Sequence, residues 1–404
     1  MGRNFRGAAL LLTFALLLSG CWDHLPLEEA ALILGLGLDV DPEDDEQVIV
    51  TQLVVIPGSV AASGESSSST SGTPFYLLTS KGTTIETALI GALKKHPRTP
   101  AMVHLDALVF GHDFARLGRS VEPAASWALI NPKIRPGTFV LVADVSAQYL
   151  LDAHAVLDTL AGEALTGLLD HTDRVPFMYP VRLYEFIQAL LTPGKDAAVP
   201  YVGRAHPASD PVPPHFHPQP FVGQSEMSAL DNQAQLIGMA IFKGSRMIGL
   251  LTEKDGNGIG WLYGGTKATV SIPHPDIPNA YIVANTLRSK TKRSAKLDGD
   301  QLVLTIEITA SMDAWGMGTL QPMSIKDHRD HVDHALADAV EKDVRQTMER
   351  LQELKADIFG FGEELYRSSP KDWEKVADVW DDLYATAKVD VRVDVKLKRT
   401  GYSR

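Results

Sequence analysis

The chain has 404 residues, 45% of them hydrophobic and 22% charged, which fits a globular protein of two or three domains. Its lone cysteine, Cys21, excludes an internal disulfide, a four-cysteine zinc site and a cysteine-held iron–sulfur cluster. The formal net charge of −12 argues against nucleic acid as a partner, because phosphate backbones are bound by basic patches.

Residues 1–7 carry Arg3 and Arg6, and Ala8 to Leu18 are apolar apart from Thr13. Eleven helical residues span about 16 Å, too short for a hydrocarbon core of about 30 Å. A basic start and a short apolar core mark residues 1–20 as a secretory signal. The run Leu18-Ser19-Gly20-Cys21 resembles a bacterial lipobox. That resemblance implies cleavage before Cys21 and a diacylglyceryl group on its sulfur. Two acyl chains give the double hydrophobic signal that stable anchoring needs. The expectation is a chain held on the outer face of a membrane by lipid at Cys21. No later stretch approaches eighteen uninterrupted apolar residues, so none is expected to span a bilayer.

Ala30 to Val40 and Gln47 to Ile56 are apolar runs around the polar turn Asp41 to Glu46, which predicts two paired strands. Gly35-Leu36-Gly37 lies inside the first run and is followed by a turn, not a helix, so it is not read as a dinucleotide loop. The Ser/Gly-rich stretch over 59–73 has too little apolar area to order itself and reads as a flexible loop. Phe75 to Leu78 predicts a short strand. Thr83-x-x-Glu86 predicts a capping box ahead of a helix, with Ile85, Ala88, Leu89, Ala92 and Leu93 on one face. Leu105 to Phe110 and Phe139 to Val145 read as buried strands. Leu183, Phe186, Ile187, Leu190 and Leu191 mark a helix stopped by Thr192-Pro193-Gly194. Residues 21–199 thus read as a mixed α/β region of two subdomains.

Pro200 to Pro220 holds seven prolines and almost no periodic pattern, which predicts a linker over 200–232 and a C-terminal domain over 233–404. Gln235 to Lys243 and Met247 to Leu251 flank the turn Gly244 to Arg246 and predict a hairpin. Ala280 to Leu287 and Leu302 to Ile308 read as strands. Val332, Leu336, Val340, Val344, Met348 and Leu351 predict an amphipathic helix over 325–355. Ser369 as N-cap, Pro370 at N1 and Asp372 in the first turn open a shorter helix. Its expected apolar face is Trp373, Val376, Val379, Trp380 and Leu383. Val389, Val391, Val393, Val395 and Leu397 alternate with charged residues as a closing strand. The fold class is α+β, multidomain, with mixed or antiparallel sheets and helices packed on them.

Candidate chemistry is sparse. His328, His331 and His334 are spaced i, i+3, i+6 on the long helix, beside Asp327, Asp330 and Asp333. Two ligands three apart could face one metal. However, i and i+6 diverge, and all three lie off the apolar stripe, so a solvated face is expected and no metal residue is assigned. His206, His215 and His217 fall in the proline-rich stretch and read as solvated. No G-x-S-x-G, P-loop or H-E-x-x-H motif occurs. Glu43 to Glu46 reads as a solvated turn, and Asp381-Asp382 as surface. No catalytic or cofactor-binding residue is assigned, and the chain reads as non-enzymatic. Asp357-Ile358-Phe359-Gly360-Phe361-Gly362-Glu363 interleaves two phenylalanines with two glycines directly after the long helix. Phe359 and Phe361 either dock into the core at a helix end or form a partner surface.

Several runs occur in one order: Cys21-Trp22-Asp23, Leu32 to Asp39, Gly238 to Lys243 with Ile248-Gly249-Leu250, Arg288 to Lys292, and Asp357 to Glu363 with Trp373 and Val389 to Thr400. In these runs the chain resembles the Ger(x)C family, the lipoprotein C subunits of bacterial spore germinant receptors. Asp357 to Glu363 is the most specific part. The proline-rich stretch and the glycine-rich Asp255 to Gly265 depart from the family pattern. The resemblance implies three α+β domains, two within 22–200 and the third within 230–404. It implies no catalysis and no cofactor. It further implies a lipid anchor on the spore inner membrane, assembly with a multi-span A subunit and a transporter-like B subunit, and a response to small nutrients. The alternative is a lipid-anchored extracytoplasmic solute-binding protein, which shares the lipobox and predicts two similar lobes around a ligand cleft.

Overall fold

The computed structural model describes residues 30–55, 75–95, 98–118, 120–153, 161–204, 234–274, 277–317 and 329–400. Cys21 and residues 1–20, the stretch 59–73, His206, His215, His217 and His328 lie outside the described residues, as does most of the proline-rich stretch.

The first sheet contains β1 (Ala30–Asp41), β2 (Asp44–Val55), β3 (Phe75–Gly82), β4 (Thr99–Ala101), β5 (Ala107–Phe110), β6 (Phe139–Ala143), β7 (Ala198–Arg204), β8 (Ala234–Lys243) and β9 (Arg246–Thr252). Their order is β3-β2-β1-β5-β6-β7-β8-β9, with β4 beside the start of β1. β1, β5, β6 and β7 run parallel, and the outer pairs are antiparallel. Every residue of β5 and β6 is buried, as befits strands covered on both faces. Alternate residues feed separate cores: Leu108, Phe110 and Val140 enter one, while Val109, Phe139 and Leu141 enter the other.

Gly35 and Gly37 seat the short helix Ala147–Leu151 against β1 rather than holding a nucleotide. A Cβ on Gly35 would lie 2.7 Å from a Leu151 methyl carbon. The carboxylate of Asp39 accepts the first N–H groups of that helix, from Ala147 at 2.8 Å and Gln148 at 3.1 Å. The capping box ahead of the helix Ile85–Leu93 sits one residue later than expected. Thr84 is extended, and it, not Thr83, exchanges hydrogen bonds with Thr87, not Glu86. Ile85, Ala88 and Ala92 are buried, whereas Leu93 is exposed.

β7 and β8 are antiparallel partners, from Ala198 opposite Ile241 to Arg204 opposite Ala234. The hairpin β8–β9 is therefore hydrogen-bonded into the first sheet, although the proline-rich stretch separates it in sequence. A change in composition is not a break in the hydrogen-bond ladder.

The second sheet is β10 (Thr269–Pro273), β11 (Tyr281–Asp298), β12 (Gln301–Met317) and β13 (Lys388–Thr400), in that order. β10, β11 and β12 are antiparallel. The closing strand β13 is parallel to β12, so this sheet is mixed rather than antiparallel throughout. A parallel return needs a crossover, and the helices between residues 329 and 385 supply it. The long helix Arg329–Glu353 packs on β13 and buries the whole expected stripe from Val332 to Leu351. His331 and His334 are exposed. The helix opened by Ser369 and Pro370 ends at Val376, and a 3-10 turn, Ala377–Val379, separates it from the helix Trp380–Ala385. That break turns Val379 out to 49% exposure, while Trp373, Val376 and Trp380 stay buried. The two sheets differ in strand number and order. The chain is α+β and is not the pair of similar lobes that the solute-binding alternative predicts.

Candidate functional site at the junction of the two halves

The run after the long helix forms a tight corner. Lys355 and Gly360 both have positive φ, 53° and 72°, which turn the chain out of one helix and into the next, Phe361–Ser368. The Asp357 carboxylate sits inside this corner. Its Oδ1 accepts the Phe361 N–H at 3.0 Å and its Oδ2 accepts the Gly362 N–H at 2.8 Å. Asp357 is only 1% exposed. Burial pushes its pKa up to about 7, although the N–H groups of Gly362, Phe361 and Gly360 favour the anion.

Asp196, from the loop after the helix Leu183–Leu191, locks onto the corner. Its Oδ2 accepts the Asp357 N–H at 2.8 Å, and its own N–H donates to the Asp357 carbonyl at 2.8 Å. Lys243, the last residue of β8, supplies the cation. Its ammonium donates to Asp196 at 2.9 Å, to Asp381 at 2.6 Å and to the Lys355 carbonyl at 2.8 Å. An ammonium has three donors, and all are used. Burial raises the Asp196 pKa, with Lys243 opposing. Asp381, expected at the surface, is half-exposed and tied to Lys243, and Asp382 pairs with Lys355 at 2.6 Å.

Phe361 is wholly buried and Phe359 nearly so. Phe361 lies 6.5 Å from the Tyr384 ring, and Tyr384 continues through Trp380 to Trp373 as a row of aromatic neighbours. The Arg293 guanidinium carbon lies 5.6 Å from the Phe359 ring centre. Both phenylalanines point inward, which fits the helix-end role rather than an exposed anchor. A cavity of about 220 Å³ opens on the Phe359 side of the corner.

Asp196 carries no signal in the sequence, Asp357 and Lys243 fall within conspicuous runs that give them no role of their own, and Gly194 reads there only as a helix stop. Asp357 opens the most specific motif, but an acid before an aromatic–glycine run carries no local sign of burial. Asp196 and Asp357 lie 161 residues apart, so only the fold brings them together. Among the described residues, no three His, Cys, Asp or Glu side chains converge as metal ligands. No described helix is long and apolar enough to cross a membrane.

Comparison with known proteins gives the same answer from both ends of the chain. Residues 23–204 match the family described as spore germination protein N-terminal domain, and residues 237–401 match the family described as spore germination B3/GerAC like, C-terminal. The chain is 25% identical to the putative spore germination protein YfkR of Bacillus subtilis over 99% of this chain and 98% of that one. It is 22% identical to spore germination protein KC of the same organism, covering 98% of this chain and 95% of that one. In three dimensions it is similar to the crystal structure of the GerBC protein, with a TM-score of 0.55, 15% identity, and coverage of 90% of this chain and 97% of that chain. That likeness confirms the fold. The chain is a member of the Ger(x)C family of spore germination proteins.

Proposed function

We propose that the chain is the lipid-anchored C subunit of a spore germinant receptor. On this reading it serves the germination response by assembling with the A and B subunits, not by catalysis. The observation that carries the reading is the extent of the match. The two family regions begin just after Cys21 and run in order to residue 401. Full-length relatives are named as spore germination proteins, which supports the same role. The lipobox resemblance at Leu18 to Cys21 supports membrane attachment.

The test is deletion of the gene in its source organism, followed by loss of spore refractility in defined nutrients. Response to one nutrient class should be lost while sporulation proceeds normally. A normal response to every nutrient would overturn the reading. Co-purification of the A and B subunits from spore membranes with the tagged full chain tests the assembly itself.

A further inference from the structure

The cavity of about 220 Å³ lies between Tyr179, Glu185 and Lys195 of the first half and Tyr263, Arg293 and Phe359 of the second. Clefts between parts of a fold are favoured places for small ligands. The charged groups around it are unequally satisfied. Glu185 accepts the Arg182 N–H at 2.8 Å and the Tyr184 hydroxyl at 3.2 Å. Asp196, which also borders the cavity, is held by Lys243 and the Asp357 N–H. Both carboxylates are therefore engaged.

The cations are freer. Lys195 reaches Glu363 at 3.4 Å. Arg293 donates to the Leu262 carbonyl, and among the described residues no carboxylate forms an ion pair with it. A guanidinium carries five N–H donors, so most of its capacity is open. Burial disfavours its charge, and the carboxylates of Asp357, Glu363 and Glu364 favour it without pairing with it. The Tyr179 and Tyr263 rings stack 4.3 Å apart and 9° from parallel, and they form a flat wall beside it. A half-buried guanidinium that no described carboxylate pairs with directly, next to aromatic walls, can take up the carboxylate of a ligand.

We propose that this cavity binds a small carboxylate-bearing molecule, with its carboxylate on Arg293 and Lys195 and its apolar part against Tyr263 and Phe359. The volume is below the range of about 300–1,000 Å³ usual for drug-sized ligands, so the molecule is small. It would touch both halves of the chain at once. The site goes beyond the assembly role, and its test reads binding by the chain alone, so failure here leaves that role untouched.

The test uses the purified full chain with sodium benzoate, and with benzamide as its uncharged counterpart. Binding is followed by calorimetry and by saturation-transfer NMR. Benzoate should saturate with a Kd of about 1 mM, and benzamide should bind about tenfold more weakly or not at all. Arg293→Lys and Lys195→Gln should each weaken benzoate by about tenfold, with the melting temperature unchanged. If Arg293→Lys does not fold, Lys195→Gln decides, since Lys195 is partly exposed. The proposal is overturned if benzoate does not saturate, if benzamide binds equally, or if folded variants bind benzoate like the wild type.

Discussion

Gly194 and Gly362 touch backbone to backbone. A Cβ on Gly362 would lie 2.5 Å from the Gly194 carbonyl oxygen, and one on Gly194 would lie 2.8 Å from the Gly362 carbonyl carbon. The Glu363 N–H donates to that same Gly194 oxygen at 3.2 Å. Gly194 also holds φ at 69°, where any other L-residue is strained. The loop after the helix Leu183–Leu191 and the corner Asp357 to Glu363 therefore meet where neither has a side chain.

Gly362→Ala should accordingly lower the melting temperature. The added methyl has no free direction, because Trp380 closes the other side at 2.8 Å. Overpacking of this kind costs about 1–3 kcal/mol. Gly194→Ala should cost more, since it adds left-handed strain of about 1–2 kcal/mol to the clash. Circular dichroism melts of the two variants check the order. Wild-type melting in both would mean that the contact is loose.

Asp357 titrates inside this junction, which gives stability a direction with pH. Burial raises its pKa in the folded chain from 3.8 to about 7. Between those values the folded chain holds a proton that the unfolded chain has released. The stabilisation is therefore full below about pH 4 and is lost as pH rises through 7. Asp196, raised by burial and faced by Lys243 and Asp381, acts in the same direction. Stability should fall from about pH 4 to 7, by at most about 1.4 kcal/mol per pH unit for one proton. Asp357→Asn should flatten that slope, and urea titrations across the range would show it. An equally steep slope in the variant would remove Asp357 from the account.

Lys243 is the ionic tie between β8, the Asp196 loop and the helix Trp380–Ala385. Lys243→Met leaves Asp196 with no cation in a largely buried place. Breaking a buried pair costs about 3–5 kcal/mol, but here the lysine is 31% exposed and Asp381 is 49% exposed, so solvent screens part of it. A loss of about 1–3 kcal/mol is expected. Adding Asp196→Asn should recover part of the loss, giving a coupling of about 1 kcal/mol in a double-mutant cycle. Strict additivity of the two changes would argue that the pair contributes nothing.

Phe361 separates a core role from a partner-contact role. Its ring is wholly buried, so Phe361→Ala should cost about 3–5 kcal/mol through the cavity it leaves. Ile130→Ala, at a position 79% exposed, should stay within about 0.5 kcal/mol. If Phe361→Ala melted like Ile130→Ala, the ring would not be the core group described above.

The parts of the fold that were legible in the sequence are those with a long, unbroken period. Val332 to Leu351 repeats over a 25-residue helix, and Val389 to Leu397 alternates along β13. The outer half of β11 was not legible, because Arg288 to Ser294 is polar on both faces and its strand character comes from pairing with β12. The capping box was displaced because Thr83 and Thr84 are chemically alike, and the backbone conformation at Thr84 decides between them. The pairing of β7 with β8 is non-local, so a proline-rich interval hides it. The same applies to the junction. The glycines and phenylalanines of Asp357 to Glu363 were conspicuous, but Asp196 and Lys243 acquire meaning only when the first sheet brings them to that corner.

Cys21 gives the remaining prediction, and it concerns attachment rather than folding. On the proposed reading, its sulfur accepts a diacylglyceryl group. Each buried methylene adds about 0.8 kcal/mol of membrane affinity, and two chains together hold a protein stably. Cys21→Ala should abolish incorporation of labelled palmitate and move the protein from the membrane to the soluble fraction. Palmitate labelling that survives Cys21→Ala would mean that the lipid is attached elsewhere, since no second cysteine exists to take it.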